Sequence, residues 1–356
     1  MRAGGGRGAA DRVRPDPSVL CERVRSRRSR LKATHCASWL GFDQELRDAL
    51  ARRGSADRQW DRFNGHRSFH RPAAESHPVT PMLACSSQPT RPFTIAVANA
   101  KGGVGKTSLV ANLAGLLAQS GHRVLAIDLD PQGNLAHDLG YLDRTDEGRQ
   151  LLQLLHGAGP PLTVEDVRPG LDVWPGGPQL IRSVGSLIPL TDHPLGQALA
   201  EVHGRYDVVL IDCPPSLGAL VDAALLTSDR LIVPIRADHA SLHGLEMIGA
   251  KFREVQTVNP SLELLGVTIF DVSRAATALA NEVARAVLSG FEGEQLRILP
   301  AVRRSERAAY EMRASGRLAH EYAAARASSE AAANLAADYE ALAAQTMALI
   351  SAVPAP

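Results

Sequence analysis

From residue 92 onward, short apolar runs alternate with longer stretches in which leucine, valine and alanine return every three or four positions. The first run, 93–99 (FTIAVAN), is almost wholly apolar, as expected of a strand covered on both faces of a parallel sheet. The stretch 108–120 (SLVANLAGLLAQS) sets Leu109, Leu113, Leu116 and Leu117 on one side of a helix, and Gly121 supplies a stop. A second buried strand is expected at 123–129 (RVLAIDL), and later ones at 172–174, 207–211, 230–235 and 264–269. Helical periodicity fills 195–202, 217–224, 242–258 and 278–289. The alanine-rich stretch 328–352 carries Leu335, Tyr339, Leu342 and Met347 along roughly one face and reads as a terminal helix. Strand–helix alternation of this kind predicts an α/β fold: a doubly wound, mostly parallel sheet with helices on both faces.

Residues 1–90 lack this texture. Arg, Gly, Ser, Pro and His dominate, and only 42–53 (FDQELRDALARR) has a helical spacing, with Leu46 and Leu50. The composition predicts a disordered, arginine-rich N-terminal arm at 1–90, ahead of a folded domain at 91–352. Met82 is an alternative start that would leave the arm unmade. Charge divides at the same place. The whole chain holds 39 Lys or Arg against 38 Asp or Glu, a net of +1. Residues 1–90 hold seventeen basic and nine acidic side chains, a net of +8, which leaves the remainder at −7. Near-neutrality therefore excludes neither a basic arm nor a cationic patch on an acidic body.

Some function classes fall away. No run of eighteen apolar residues exists, so no transmembrane helix is expected, and the N-terminus lacks the apolar core of a secretion signal. The cysteines Cys21, Cys36, Cys85 and Cys213 lie far apart with no CxxC pair, which reads as free thiols in a reducing cytoplasm. Only four lysines occur (Lys32, Lys101, Lys106 and Lys251), so the two at 101 and 106 stand out.

Those two lysines bracket the strongest chemical signal. Residues 100–108 read AKGGVGKTS between an expected strand and an expected helix. Glycines let backbone N–H groups turn inward onto phosphate oxygens, and the helix N-terminus adds a positive dipole end. In such a loop Gly102, Gly103, Val104, Gly105, Lys106, Thr107 and Ser108 line the nucleotide. Lys106 would reach the β- and γ-phosphates, and the Thr107 hydroxyl would ligate Mg²⁺. Ala100 departs from the strict phosphate-loop pattern at its first glycine. Further on, YDVVLIDCPPS (206–216) reads as a strand ending on an acid. Four apolar residues precede Asp212 and leave its carboxylate at the strand's C-terminal end, where it would hold the Mg²⁺ shell. Cys213 reads as a buried structural thiol.

A lysine directly before the paired glycines marks the deviant Walker A class. The sequence resembles the ParA/MinD group of P-loop ATPases, most closely the ParA-type partition ATPases, over about residues 93–345. In that family the early lysine contacts the phosphates of the partner's ATP across a nucleotide-sandwich dimer, and the resemblance gives that role to Lys101. DLDPQGN (128–134) resembles the family's switch region. Asp130 matches the carboxylate that holds the attacking water near Mg²⁺, and Asp128 matches a second acid at the strand end. On its own, DPQGN is also a Pro/Gly turn with a capping aspartate. LIVPIRADHASLHGLEMI (231–248), GVTIFDVSR (266–274) and ILPAVRRSERAAYEMRASG (298–316) continue the resemblance. Pro300 and Val302 fall where the family contacts the adenine ring. Ala301 replaces a usual polar residue, and the usual proline after Glu306 is missing.

The resemblance implies an ATP- and Mg²⁺-dependent ATPase, slow unless stimulated, in the cytoplasm and associated with the nucleoid. It would dimerise on ATP, bind DNA non-specifically and meet a ParB-type centromere-binding protein during chromosome or plasmid partitioning. Arg274, Arg303 and Arg304 match the family's DNA-contacting positions, and Arg307, Arg313 and Arg317 lie near them. A ParA-like positioner of a protein cargo would share these motifs. A MinD-like division-site regulator would need a basic amphipathic C-terminal helix, and ALAAQTMALISAVPAP has no lysine or arginine. An iron–sulfur reductase relative would need cluster cysteines, of which the body offers only Cys213.

Overall fold

Glycine and proline punctuation after each apolar run leaves strands of about five residues, joined by helices long enough to cross back over the sheet. The computed structural model describes residues 91–183, 193–236, 238–272 and 297–351. The elements are β1 (Phe93–Val97), α1 (Lys106–Gln119), β2 (Val124–Asp128), α2 (Leu135–Leu139), α3 (Arg149–Leu155), β3 (Val164–Arg168) and β4 (Leu171–Trp174). They continue as α4 (Pro194–Glu201), β5 (Val208–Asp212), α5 (Ala219–Thr227), β6 (Arg230–Arg236), α6 (His239–Gln256) and β7 (Glu263–Val272). The last are β8 (Val302–Arg303), α7 (Glu306–Ser315), α8 (Ala319–Ala325) and α9 (Glu330–Ser351).

One eight-stranded sheet runs β3-β4-β2-β5-β1-β6-β7-β8, parallel throughout except for the antiparallel β3–β4 pair. The predicted doubly wound sheet is therefore the observed one. The period of two decides the layers. Ile95 and Val97 face a core shared with α1, α2, α7, α8 and α9, whereas Ala96 and Ala98 face a core shared with α3, α4, α5 and α6. At the centre, β1 lies between β5 and β6. The chain leaves β1 toward β2 on one side and leaves β5 toward β6 on the other. Such a reversal opens a crevice at the carboxyl ends of the strands, where open α/β sheets take their ligands.

The expected strands and helices fall within a few residues of the observed ones. The arm at 1–90, the helix expected at 278–289 and Arg274 lie outside the described residues. Sequence periodicity missed β3, α2, α3, β8, α7 and α8. Each is short, and β3 sits at the sheet edge with Glu165 and Asp166 exposed, so it lacks an apolar run. In α7 only Ala308 and Met312 are buried, which leaves too narrow an apolar stripe to read from spacing.

Candidate active site

The phosphate-loop segment joins β1 to α1. Gly103 and Gly105 adopt φ of 71° and 88°, left-handed values that residues with a side chain avoid. Gly105 is also confined by space, since a Cβ there would stand 2.6 Å from the Phe270 ring. The loop curls over Lys106, whose ammonium donates to the carbonyls of Asn99 (3.2 Å) and Lys101 (3.0 Å). Val104 is buried beneath the loop, while Gly102 and Gly103 are exposed along its rim. Burial lowers the Lys106 pKa, and the nearby acids Asp212 and Asp130, with Cys213, partly restore it.

Those acids arrive on neighbouring strands. The β2–β5 register sets Asp128 directly beside Asp212. Asp128 is fully buried; its carboxylate accepts the N–H of Asp130 (2.9 Å) and of Leu135 (3.2 Å), which folds the segment 128–135 into a tight loop. Burial pushes the Asp128 carboxyl up to about 7, against those two hydrogen bonds. Asp130 is raised by burial too, with the Gln132 N–H and Lys106 opposing. Asp212 is raised well above the usual carboxylate range by burial first and by Asp128 second, with the Thr107 hydroxyl and Lys106 pulling back. Both Asp212 oxygens are buried and, among the described residues, accept no hydrogen bond of ordinary length and angle, although the Thr107 hydroxyl lies close enough to lower the carboxyl. The Tyr141 hydroxyl is buried and unpartnered in the same way, and its phenol is raised by burial and then by Asp128 and Asp212. An orphaned carboxylate beside a hydroxyl at a strand end has the donor set of a hard divalent cation, so Asp212 and Thr107 fit Mg²⁺. Cys213 is buried with its thiol pushed up by burial, an inert structural residue as expected.

Lys101 turns away from Lys106. Its ammonium meets both oxygens of Asp238 at 2.6 and 2.7 Å, and its N–H donates to the Asn99 side chain at 2.9 Å. Asn99 in turn donates to the Pro234 carbonyl at 2.8 Å, tying the loop to β6. The sequence reading had no role for Asn99 or Asp238; the signal available was an acid two residues past a strand that flanks β1.

Beside α1 a cleft of about 170 Å³ is lined by Ser108, Asn112, Asp138, Phe270, Val302, Ser305 and Arg313, among others. Val302 lies on this cleft and is buried, whereas Pro300 is not among its lining residues and uses its carbonyl to accept from Thr268 Oγ1 at 2.7 Å. Ser108 Oγ donates to Asp138 at 2.9 Å. Arg303 is held by Asp338 through contacts of 2.6 and 2.7 Å, with its own N–H on the same carboxylate at 2.9 Å. Arg304 is half exposed and pairs with Glu306, with Asp271 at 3.8 Å. Neutralising carboxylates thus accompany both arginines. Among the described residues no helix is long and apolar enough to cross a membrane.

A family model described as an AAA domain matches residues 93–264. The chromosome partitioning protein ParA of Caulobacter vibrioides is 37% identical over 213 residues, covering 58% of this chain and 78% of that protein. The chromosome-partitioning ATPase Soj of Thermus thermophilus is 40% identical over 205 residues, covering 57% and 78%. Among solved structures, cobyrinic acid a,c-diamide synthase of Mycobacterium smegmatis with bound ADP and magnesium superposes at a TM-score of 0.52 with 30% identity, covering 65% of this chain and 91% of the other.

Proposed function

The chain belongs to the ParA/Soj family of chromosome-partitioning P-loop ATPases, and on that premise we propose that it is an ATP-driven switch that partitions DNA. The observation that carries the nucleotide reading is the convergence of a buried Lys106 with Asp212, whose two oxygens are buried without a hydrogen bond of ordinary geometry among the described residues. Glycine N–H groups, the α1 N-terminus and Lys106 bind the phosphates of ATP. Thr107 and Asp212 hold Mg²⁺, which neutralises charge on the terminal phosphates. Asp130 orients the attacking water; burial raises its carboxyl above the usual value, with the Gln132 N–H and Lys106 opposing. Asp128 has no free oxygen for substrate; it shapes the loop that presents Asp130.

Lys101 is held on its own chain by Asp238, and in the ATP-bound homodimer it exchanges that carboxylate for the partner's nucleotide phosphates. Pro300 and Val302 flank the adenine ring. Arg274, Arg303 and Arg304 contact DNA phosphates without sequence preference on the nucleoid, and a ParB-type centromere-binding protein stimulates hydrolysis. A cytoplasmic location follows from such partners. The synthase likeness, at 30% identity, is weaker than that to the partition proteins at 37% and 40%.

The test is fluorescence anisotropy of the full chain on random-sequence duplex DNA with ATP, ADP or no nucleotide, run beside a phosphate-release assay. Binding confined to the ATP state, weakening steeply with salt, is expected. Hydrolysis without any DNA binding would refute the partition reading and favour a positioner of protein cargo.

A further inference from the structure

Asp138 is a buried acid with no place in the reaction above, and it joins three elements. It lies within the short helix α2, whose first residue, Leu135, is tethered to Asp128 at 3.2 Å. One Asp138 oxygen accepts from Ser108 Oγ at 2.9 Å, in the first turn of α1. The other accepts from Arg313 Nε at 2.6 Å, on α7.

Two more fastenings join α2 to α7. Gly140 and Gly316 cap these helices in left-handed conformations, and a Cβ on Gly316 would stand 2.6 Å from the Gly140 Cα. Backbone therefore meets backbone, with no side chain between them to yield. Arg168 of β3 donates to the last carbonyl of α2, Leu139 O (3.1 Å), and to the cap of α7, Gly316 O (2.8 Å). It also pairs with Glu321 at 2.5 Å at the start of α8.

We propose that this seam carries nucleotide state from the loop 128–134 to α7, with Asp138, Arg313 and Arg168 as positioning residues. The proposal rests on the nucleotide reading of Lys106 and Asp130. A close-packed contact transmits displacement rather than absorbing it, so a shift of α2 as the loop closes on a terminal phosphate moves α7 with it. That helix follows directly on Arg303 and Arg304 and carries the exposed Arg307. Residues away from the phosphates would then set how differently the arginine face behaves with ATP and with ADP.

Hydrogen–deuterium exchange of the full chain, saturated with Mg²⁺ and either ATP or ADP, reads this directly. In the wild type, peptides over 128–139 and over 306–315 should both differ between the two nucleotides. Arg313→Gln and Arg168→Gln should keep the difference at 128–139 and reduce that at 306–315 at least threefold. The double variant should do at least as much as either single change, because the two arginines fasten α2 to α7 side by side. Arg313→Lys should recover most of the effect. In parallel, the ratio of DNA affinities with ATP and ADP should fall at least tenfold in the two glutamine variants. A wild-type response at 128–139 without one at 306–315 overturns the proposal, as does an undiminished α7 response in the variants. Loss of both responses together with a lowered Tm would show a merely structural seam and also overturn it. A wild type in which neither segment distinguishes ATP from ADP refutes the nucleotide reading instead.

Discussion

Replacing Asp128 by asparagine removes a charge that the fold buries at high cost. The native carboxyl is raised from 3.8 to about 7, so the folded chain holds this proton more tightly than the unfolded chain does. Stability from this group is therefore full below about pH 4 and is lost as pH rises toward 7. The loss approaches 4 kcal/mol, at about 1.4 kcal/mol for each tenfold step in proton affinity. Asparagine does not titrate, so it escapes that loss. It has one acceptor oxygen where the carboxylate has two, and the N–H groups of Asp130 and Leu135 both need one. Orphaning one buried N–H costs about 1–2 kcal/mol. The nucleotide-free variant should thus be more stable than the wild type by about 2–3 kcal/mol near pH 8 and less stable by about 1–2 kcal/mol near pH 4. Relief of Asp212, which Asp128 also raises, acts in the same direction as pH rises. Urea unfolding of the full chain in EDTA, followed by circular dichroism across that pH range, measures the difference. A Asp128→Asn effect that keeps one sign and one size across the range would refute the reasoning, because the charge would then not be the buried burden described.

Three further outcomes follow from other parts of the site. Gly105→Ala forces a side chain into φ 88° and into the Phe270 ring, and should destabilise by about 2–4 kcal/mol and abolish binding of a fluorescent ATP analogue; retained affinity would show that the loop can re-form around a Cβ. Asp238→Ala removes from Lys101 one partly exposed ion pair worth about 0.5–1 kcal/mol, so the ATP-dependent dimer should tighten about two- to fivefold in sedimentation equilibrium; a weaker dimer would mean that Asp238 aligns the lysine rather than competing for it. Arg303→Ala breaks the Asp338 contacts and should lower stability by about 1 kcal/mol, whereas Arg304→Ala should leave Tm unchanged and reduce the salt dependence of DNA affinity by about one phosphate contact; an equal effect of both changes on DNA alone would contradict the separation.

Sequence alone determined the sheet's central strands and the phosphate loop, and the reason is local. Buried parallel strands must be nearly continuous apolar runs, and a loop that wraps phosphate needs glycine at positions such as 103 and 105, so both leave marks within a few residues of one another. Asp212 was legible because it directly follows such a run, and Asp130 was marked by the resemblance of DLDPQGN to the family's switch region. Tertiary structure decided what depends on residues distant in the chain. Strand order placed Asp128 beside Asp212; burial raises both carboxyls, and Asp128 then adds to the rise at Asp212. The hold of Asp238 on Lys101 spans 137 residues, and that of Asp138 on Arg313 spans 175. Pro300 and Val302 are two residues apart in sequence, yet of the two only Val302, carried by β8, lines the cleft, while Pro300 precedes the strand with its carbonyl taken by Thr268. Arg303, matched to a DNA-contacting position, is met by Asp338 from a helix 35 residues away. Electrostatic partnership acts through space and leaves no period in the chain.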